Sequence, residues 1–174
     1  MVTLMKTRLL IAPLVAVALL VAAVIAAPAA TAATKACSAS KLVVWAGEEP
    51  GGGTAGSVFY RIEFTNLSSG TCTLFGFPTV SAVNLAGKKL GAPAMHSPGK
   101  KVKAVKLAQG QSATAQLQIV DALNFSPNEC KPTWAAGLKI GVPGGYGVKF
   151  APLAFQTCQL TSAQILRVGA VTKS

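Results

Sequence analysis

The chain is short of acid and of histidine, and it shows no pattern for helices. Against 16 Lys and Arg it carries 5 Asp and Glu and one histidine, His96. An enzyme needs convergent acid, base or nucleophilic groups. The candidates are few: His96, Glu48, Glu49, Glu63, Asp121 and Glu129, with serines throughout. No two cysteines form a CxxC pair, and one histidine cannot complete the usual zinc patterns. Beyond the first 34 residues no stretch sustains an apolar period of 3.6 residues, so amphipathic helices are not expected. No metal, no cofactor and no catalysis are read from this composition.

Charge is also missing from the first 34 residues, apart from Lys6 and Arg8. After them Leu9 to Ala26 is continuously apolar, broken only by Pro13, and small residues follow. A charged start, an apolar middle and a small-residue exit describe a secretory signal peptide over residues 1–32. Cleavage is expected after Ala30-Thr31-Ala32, with Ala27-Pro28-Ala29 a second possibility. The competing reading is an uncleaved anchor, because about 18 apolar residues can just span a bilayer. Cys37 follows Thr34-Lys35-Ala36, and that lysine does not fit the small aliphatic tripeptide of a lipoprotein, so the chain has no lipobox.

Cleavage would leave residues 33–174, 142 residues with a net charge of +9, enough for one domain with a core of its own. All four cysteines, Cys37, Cys72, Cys130 and Cys158, lie in that part, and in an exported chain they imply two disulfides. Of three connectivities we favour Cys37–Cys72 with Cys130–Cys158, each tying a strand terminus to a neighbouring loop.

Strand signals dominate. Val58, Tyr60, Ile62 and Phe64 alternate with Arg61, Glu63 and Thr65, the period-2 pattern of a half-buried strand. Asn66 to Cys72 is a polar turn, and Leu74, Phe75 and Phe77 are expected to pack under one end of the fold. Lys41–Trp45, Thr79–Leu85, Ser112–Val120, a strand around Leu138 to Val142, and Val148–Gln156 read as further strands. Gly144-Gly145 reads as a hairpin turn. Ala113, Ala115, Leu117 and Ile119 should face inward. Gly47 to Gly56 reads as a flexible loop; its GxGxxG spacing lacks the preceding strand and following helix of a dinucleotide fingerprint. Asn66-Leu67-Ser68 fits a glycosylation sequon. Asp121 to Thr133 reads as a long loop, and the chain after about residue 160 is weakly patterned. Seven to nine short strands with turns between them point to an all-β fold, an immunoglobulin-like antiparallel β-sandwich with an ordered core over about 37–160.

Lys88, Lys89, Lys100, Lys101, Lys103 and Lys106 fall within one short stretch of sequence. Such lysines blunt edge strands and keep an exported protein soluble. They also offer a face to an anionic wall polymer, a membrane surface or an acidic protein. Export, and the lack of aromatics among these lysines, argue against nucleic acid. Glu63 beside Arg61 reads as a surface pair, and His96 as a solvated loop residue.

Several of these residues together resemble a known family. Cys37, then Phe64-x-Asn66-x-Ser68-x-x-x-Cys72-x-Leu74-x-Gly76-Phe77-Pro78, then Leu107-x-x-Gly110-x-Ser112-Ala113, then Cys130, is similar to domain of unknown function 4232, an actinobacterial family of secreted and lipoprotein domains. The resemblance implies a β-sandwich exported to the envelope or medium. It brings no activity and no catalytic residue. The function expected is that of an exported, non-enzymatic envelope or extracellular protein with a lysine-rich anion-binding face. The alternative is a secreted protease inhibitor presenting the disulfide-pinned loop Asn128–Thr133, with Lys131 as its specificity residue.

Overall fold

The computed structural model describes residues 34–99 and 101–174. The signal-peptide reading and Lys100 lie outside them. Ala33–Ser174 is a compact unit by itself. It is all-β apart from short helical turns, and its strands run β1 (Leu42–Thr54), β2 (Ser57–Asn66), β3 (Cys72–Phe75), β4 (Thr79–Val83), β5 (Lys89–Leu90), β6 (Met95–His96), β7 (Ala104–Leu107), β8 (Ser112–Val120), β9 (Pro132–Gly141), β10 (Val148–Cys158), β11 (Leu166–Val168) and β12 (Thr172–Lys173). The first sheet has the order β1-β2-β8-β11-β6, with β12 also paired to β8. The second has the order β10-β9-β4-β5, and β3 pairs with β7. Among the described residues these strands pair antiparallel except β11 with β6, and isolated parallel bridges join Ala36 to Thr73 and Ser38 to Tyr146.

Alternation decides what is buried. On β2, Ile62 and Phe64 are fully enclosed. On β8, Ala113, Ala115, Leu117 and Ile119 face the same way, as their spacing requires. Opposite them stand Val80 and Ala82 of β4, Leu138 and Ile140 of β9, and Ala151 and Phe155 of β10. Two apolar faces thus cover one another, the arrangement of a β-sandwich.

Several expectations are corrected. The glycine-rich segment is not a loop. β1 runs on to Thr54, with Gly53 opposite Val58 and an irregularity between Glu48 and Gly53. Pairing with the adjacent β2 supplies the hydrogen bonds that side chains do not. The core reaches past residue 160: Ile165, Leu166, Val168 and Val171 are buried, and β11 lies between β8 and β6. A three-residue strand is too short to show a period, so the tail looks unpatterned. Leu74 is buried but Phe75 is exposed, because neighbours on a strand face opposite ways. Phe77 stacks on His96, ring centroids 4.0 Å apart, so the histidine is a strand residue with an aromatic partner. Arg61 lies over the Trp45 ring at 5.7 Å, while Glu63 accepts from the Thr65 hydroxyl. Gly47, directly opposite Arg61, has no side chain and the Trp45 ring lies over it, so the cation meets the ring on β1.

The Asp121–Thr133 segment holds a 3-10 turn over Ala122–Asn124 and one helical turn over Pro127–Cys130. Lys131 follows in left-handed backbone (φ 47°), and Pro132 already pairs with Cys158. Gln159 N donates to Cys130 O and Lys131 O. These backbone bonds and the Cys130–Cys158 bridge hold the segment, with Asn128, Glu129, Lys131 and Pro132 exposed.

The bonded cysteines are Cys37–Cys72 and Cys130–Cys158, separated by 35 and 28 residues. The second closes the β9–β10 hairpin at the end opposite its Gly144-Gly145 turn. That turn seats against the first bridge: Tyr146 N donates to Cys37 O, and a side chain on Gly145 would collide with that same carbonyl.

Asn66, fully buried, joins three segments. Its amide nitrogen donates to Gly70 O and Leu107 O, both at 2.9 Å, and its amide oxygen accepts from Ser68 N at 2.9 Å and Ser68 Oγ at 2.7 Å. An amide so enclosed cannot carry a glycan. Asn66→Ala would strand the Leu107 carbonyl and open a void, a loss of about 2–4 kcal/mol, read as a lower midpoint in urea unfolding. Reduction of both bridges should lower the melting temperature sharply, since each closed loop is worth about 3.5–4 kcal/mol in the chain-entropy treatment. An unchanged transition after reduction would remove that role.

Candidate functional site

Four of the five acidic residues make side-chain hydrogen bonds within the fold, Glu63 with Thr65 among them. Asp121 accepts from Leu123 N at 2.9 Å and opens the 3-10 turn. Glu129 accepts from the amide and hydroxyl of Ser126, closing the helical turn on itself. Glu49 accepts from Gln116 Nε2 at 3.0 Å. His96 is exposed and stacks its ring on Phe77. These side chains lie on separate elements, and no group of three or more metal-ligating residues occurs among the described residues.

The lysines divide into two groups. Lys101, Lys103 and Lys106 border a depression of about 460 Å³ whose floor is Val105 and Val171, and Lys173 of β12 completes its rim. On β7, Val105 and Leu107 point inward, so Lys106 must point out. Lys88 closes the β4–β5 turn and Lys89 opens β5, both on the second sheet. Sequence proximity joined what the fold separates. Lys173 was missed because the tail carries no strand period. One signal was available: no acidic residue occurs between Glu63 and Asp121 or after Glu129, so both groups arise from acid-free sequence.

A third feature is the cleft of about 330 Å³ at one end between the sheets, where Val58 and Tyr60 of β2 and Ile119 of β8 meet Phe155 of β10. Burial, and then the negative charge of Glu48, raise the Tyr60 phenol above its ordinary 10.0.

Residues 37–172 match the family described as Domain of unknown function (DUF4232). The chain belongs to that family. No curated protein and no solved structure matches it. The DUF4232 match takes in β11 and ends at Thr172, the first residue of β12, so Lys173 stands just beyond it.

The Tyr60 shift has a pH consequence. Below the ordinary value the phenol is protonated whether folded or unfolded, so its contribution is constant. As pH rises past that value, the unfolded chain releases its proton first, and stability falls through the raised folded value. Tyr60→Phe should flatten the alkaline end of the stability–pH curve, and Glu48→Gln should do so in part. An unchanged alkaline slope in Tyr60→Phe would show that the phenol does not contribute.

Proposed function

We propose that this DUF4232 domain is an exported, non-enzymatic binding domain of the envelope or extracellular space. It holds an anionic envelope polymer against Lys101, Lys103, Lys106 and Lys173. The observation that carries this reading is the acid-free rim: four lysines border one depression, and no carboxylate lines it. Field lines from like charges around a concave apolar floor reinforce one another, raising the local concentration of a polyanion. Two disulfides are the usual mark of an oxidising compartment, which supports export. The carboxylates engaged in caps and cross-strand bonds support a role without catalysis.

Attraction between exposed charges is screened over about 8–10 Å at physiological salt, so retention should be salt-sensitive. On immobilised anionic wall polymer, the domain should elute at moderate salt. The variant Lys101→Gln/Lys103→Gln/Lys106→Gln/Lys173→Gln should pass through largely unretained. Equal retention of the variant and the parent would overturn the assignment.

A further inference from the structure

The outer face of the second sheet is apolar where solvent should meet polar residues. Leu85 in the β4–β5 turn, 97% exposed, borders one depression with Trp134, 64% exposed, and the adjoining one with Phe150, 54% exposed. Leu85 is held out by a built turn: Asn84 Oδ1 accepts from Ala86 N at 3.0 Å and Lys88 N at 2.9 Å. The Phe150 ring lies over Gly137, where any side chain would strike it. Gly137 pairs in turn with Val83, which is buried yet stands outside the inter-sheet core. The face therefore has its own small apolar floor, within a groove of about 440 Å³. Residues paired across an antiparallel sheet share a face. Lys89, opposite Val83, and Lys139, opposite Phe150, accordingly stand on this one. Lys149 borders the same groove, and β4, β5, β9 and β10 contain no acidic residue.

We propose that this face docks on a bilayer surface carrying anionic headgroups. Trp134, Phe150 and Leu85 enter the headgroup–acyl boundary, and the lysines reach lipid phosphates. Charge complementarity selects this occupant. A second copy of the chain would bring lysine against lysine. A protein partner would favour arginine, whereas lysine is depleted at protein interfaces and every cation here is lysine. Lysine beside exposed aromatic and leucine side chains is the composition of interfacial membrane contacts, with its stem along apolar surface and its head in water. The face shares no residue with the depression bounded by Lys101, Lys103, Lys106 and Lys173, so the two readings fail separately.

The test uses residues 33–174, the compact unit, with vesicles of phosphatidylcholine alone or mixed with phosphatidylglycerol. Sedimentation with the mixed vesicles, reversed by salt, is expected. In a Trp45→Phe background Trp134 emission should shift to the blue on binding. Leu85→Ser, at a site too exposed to disturb folding, and Trp134→Ala should each lower partitioning by roughly tenfold. Lys89→Gln/Lys139→Gln should lower it by roughly tenfold or more. The quadruple glutamine variant of the lysine depression should bind vesicles like the parent. No binding, equal binding to phosphatidylcholine alone, or loss of binding only in the quadruple variant would overturn the proposal. So would a concentration-dependent dimer abolished by Trp134→Glu without vesicle binding, which would give the face to a second copy.

Discussion

The amide of Asn66 is the point on which the first sheet and its edges depend. It ends β2, and its four side-chain hydrogen bonds fix the turn to Cys72 and hold β7 alongside. Its backbone does similar work on the next connection: Gly110 N donates to Asn66 O at 2.7 Å, and Asn66 N to Gln111 O at 3.0 Å. The hydroxyls of Thr65 and Ser112 meet at 2.8 Å beside it. A buried amide with every partner in place specifies one geometry, because any alternative leaves polar groups in apolar surroundings. The residues that carry the family resemblance, Asn66, Ser68, Leu107, Gly110 and Ser112, are therefore largely one hydrogen-bonded knot. They mark how the fold is closed and say nothing of a ligand.

With that knot and two bridges holding the frame, the outer faces are released from structural duty. The first sheet covers much of its exterior with polar residues, Thr114, Gln116 and Gln118 of β8, and sets Arg61 against the half-exposed Trp45, leaving Val43 beside it. The second sheet does not, and leaves Trp134 and Phe150 to solvent. Exposed aromatic area of this kind works against an isolated soluble domain and so points to contact with something else. The lysine depression between β7 and β12 differs in kind, because its rim is charge and its apolar residues are small.

Strands with four or more alternating positions were legible in sequence. β2 and β8 follow the expected faces, since a period of two over such lengths has only one buried solution. β1 beyond Gly47 and β11 were not legible. Glycines carry no side chain to alternate, and three residues make no pattern; both segments are strands because a long neighbour offers them hydrogen bonds. The candidate sites fared likewise. Lys101, Lys103 and Lys106 were visible as a run of charge, while Lys173 and Lys139 join their groups only through strand pairing, and Lys149 only by bordering the groove. Trp134 and Phe150 were invisible as a face, since nothing local tells which side of a strand will meet solvent once the core has formed.

By itself the sequence determined the all-β class, the presence of two disulfides and the membership in DUF4232, because alternation, cysteine number and the Asn66 motif are local properties that packing does not reverse. Tertiary structure alone decided which lysines share a surface, which aromatics are left outside, and that the tail is a strand of the first sheet. The reason is geometric. Pairing between strands far apart in sequence sets those neighbours, and the second sheet's outer face exists only once β4, β5, β9 and β10 lie side by side.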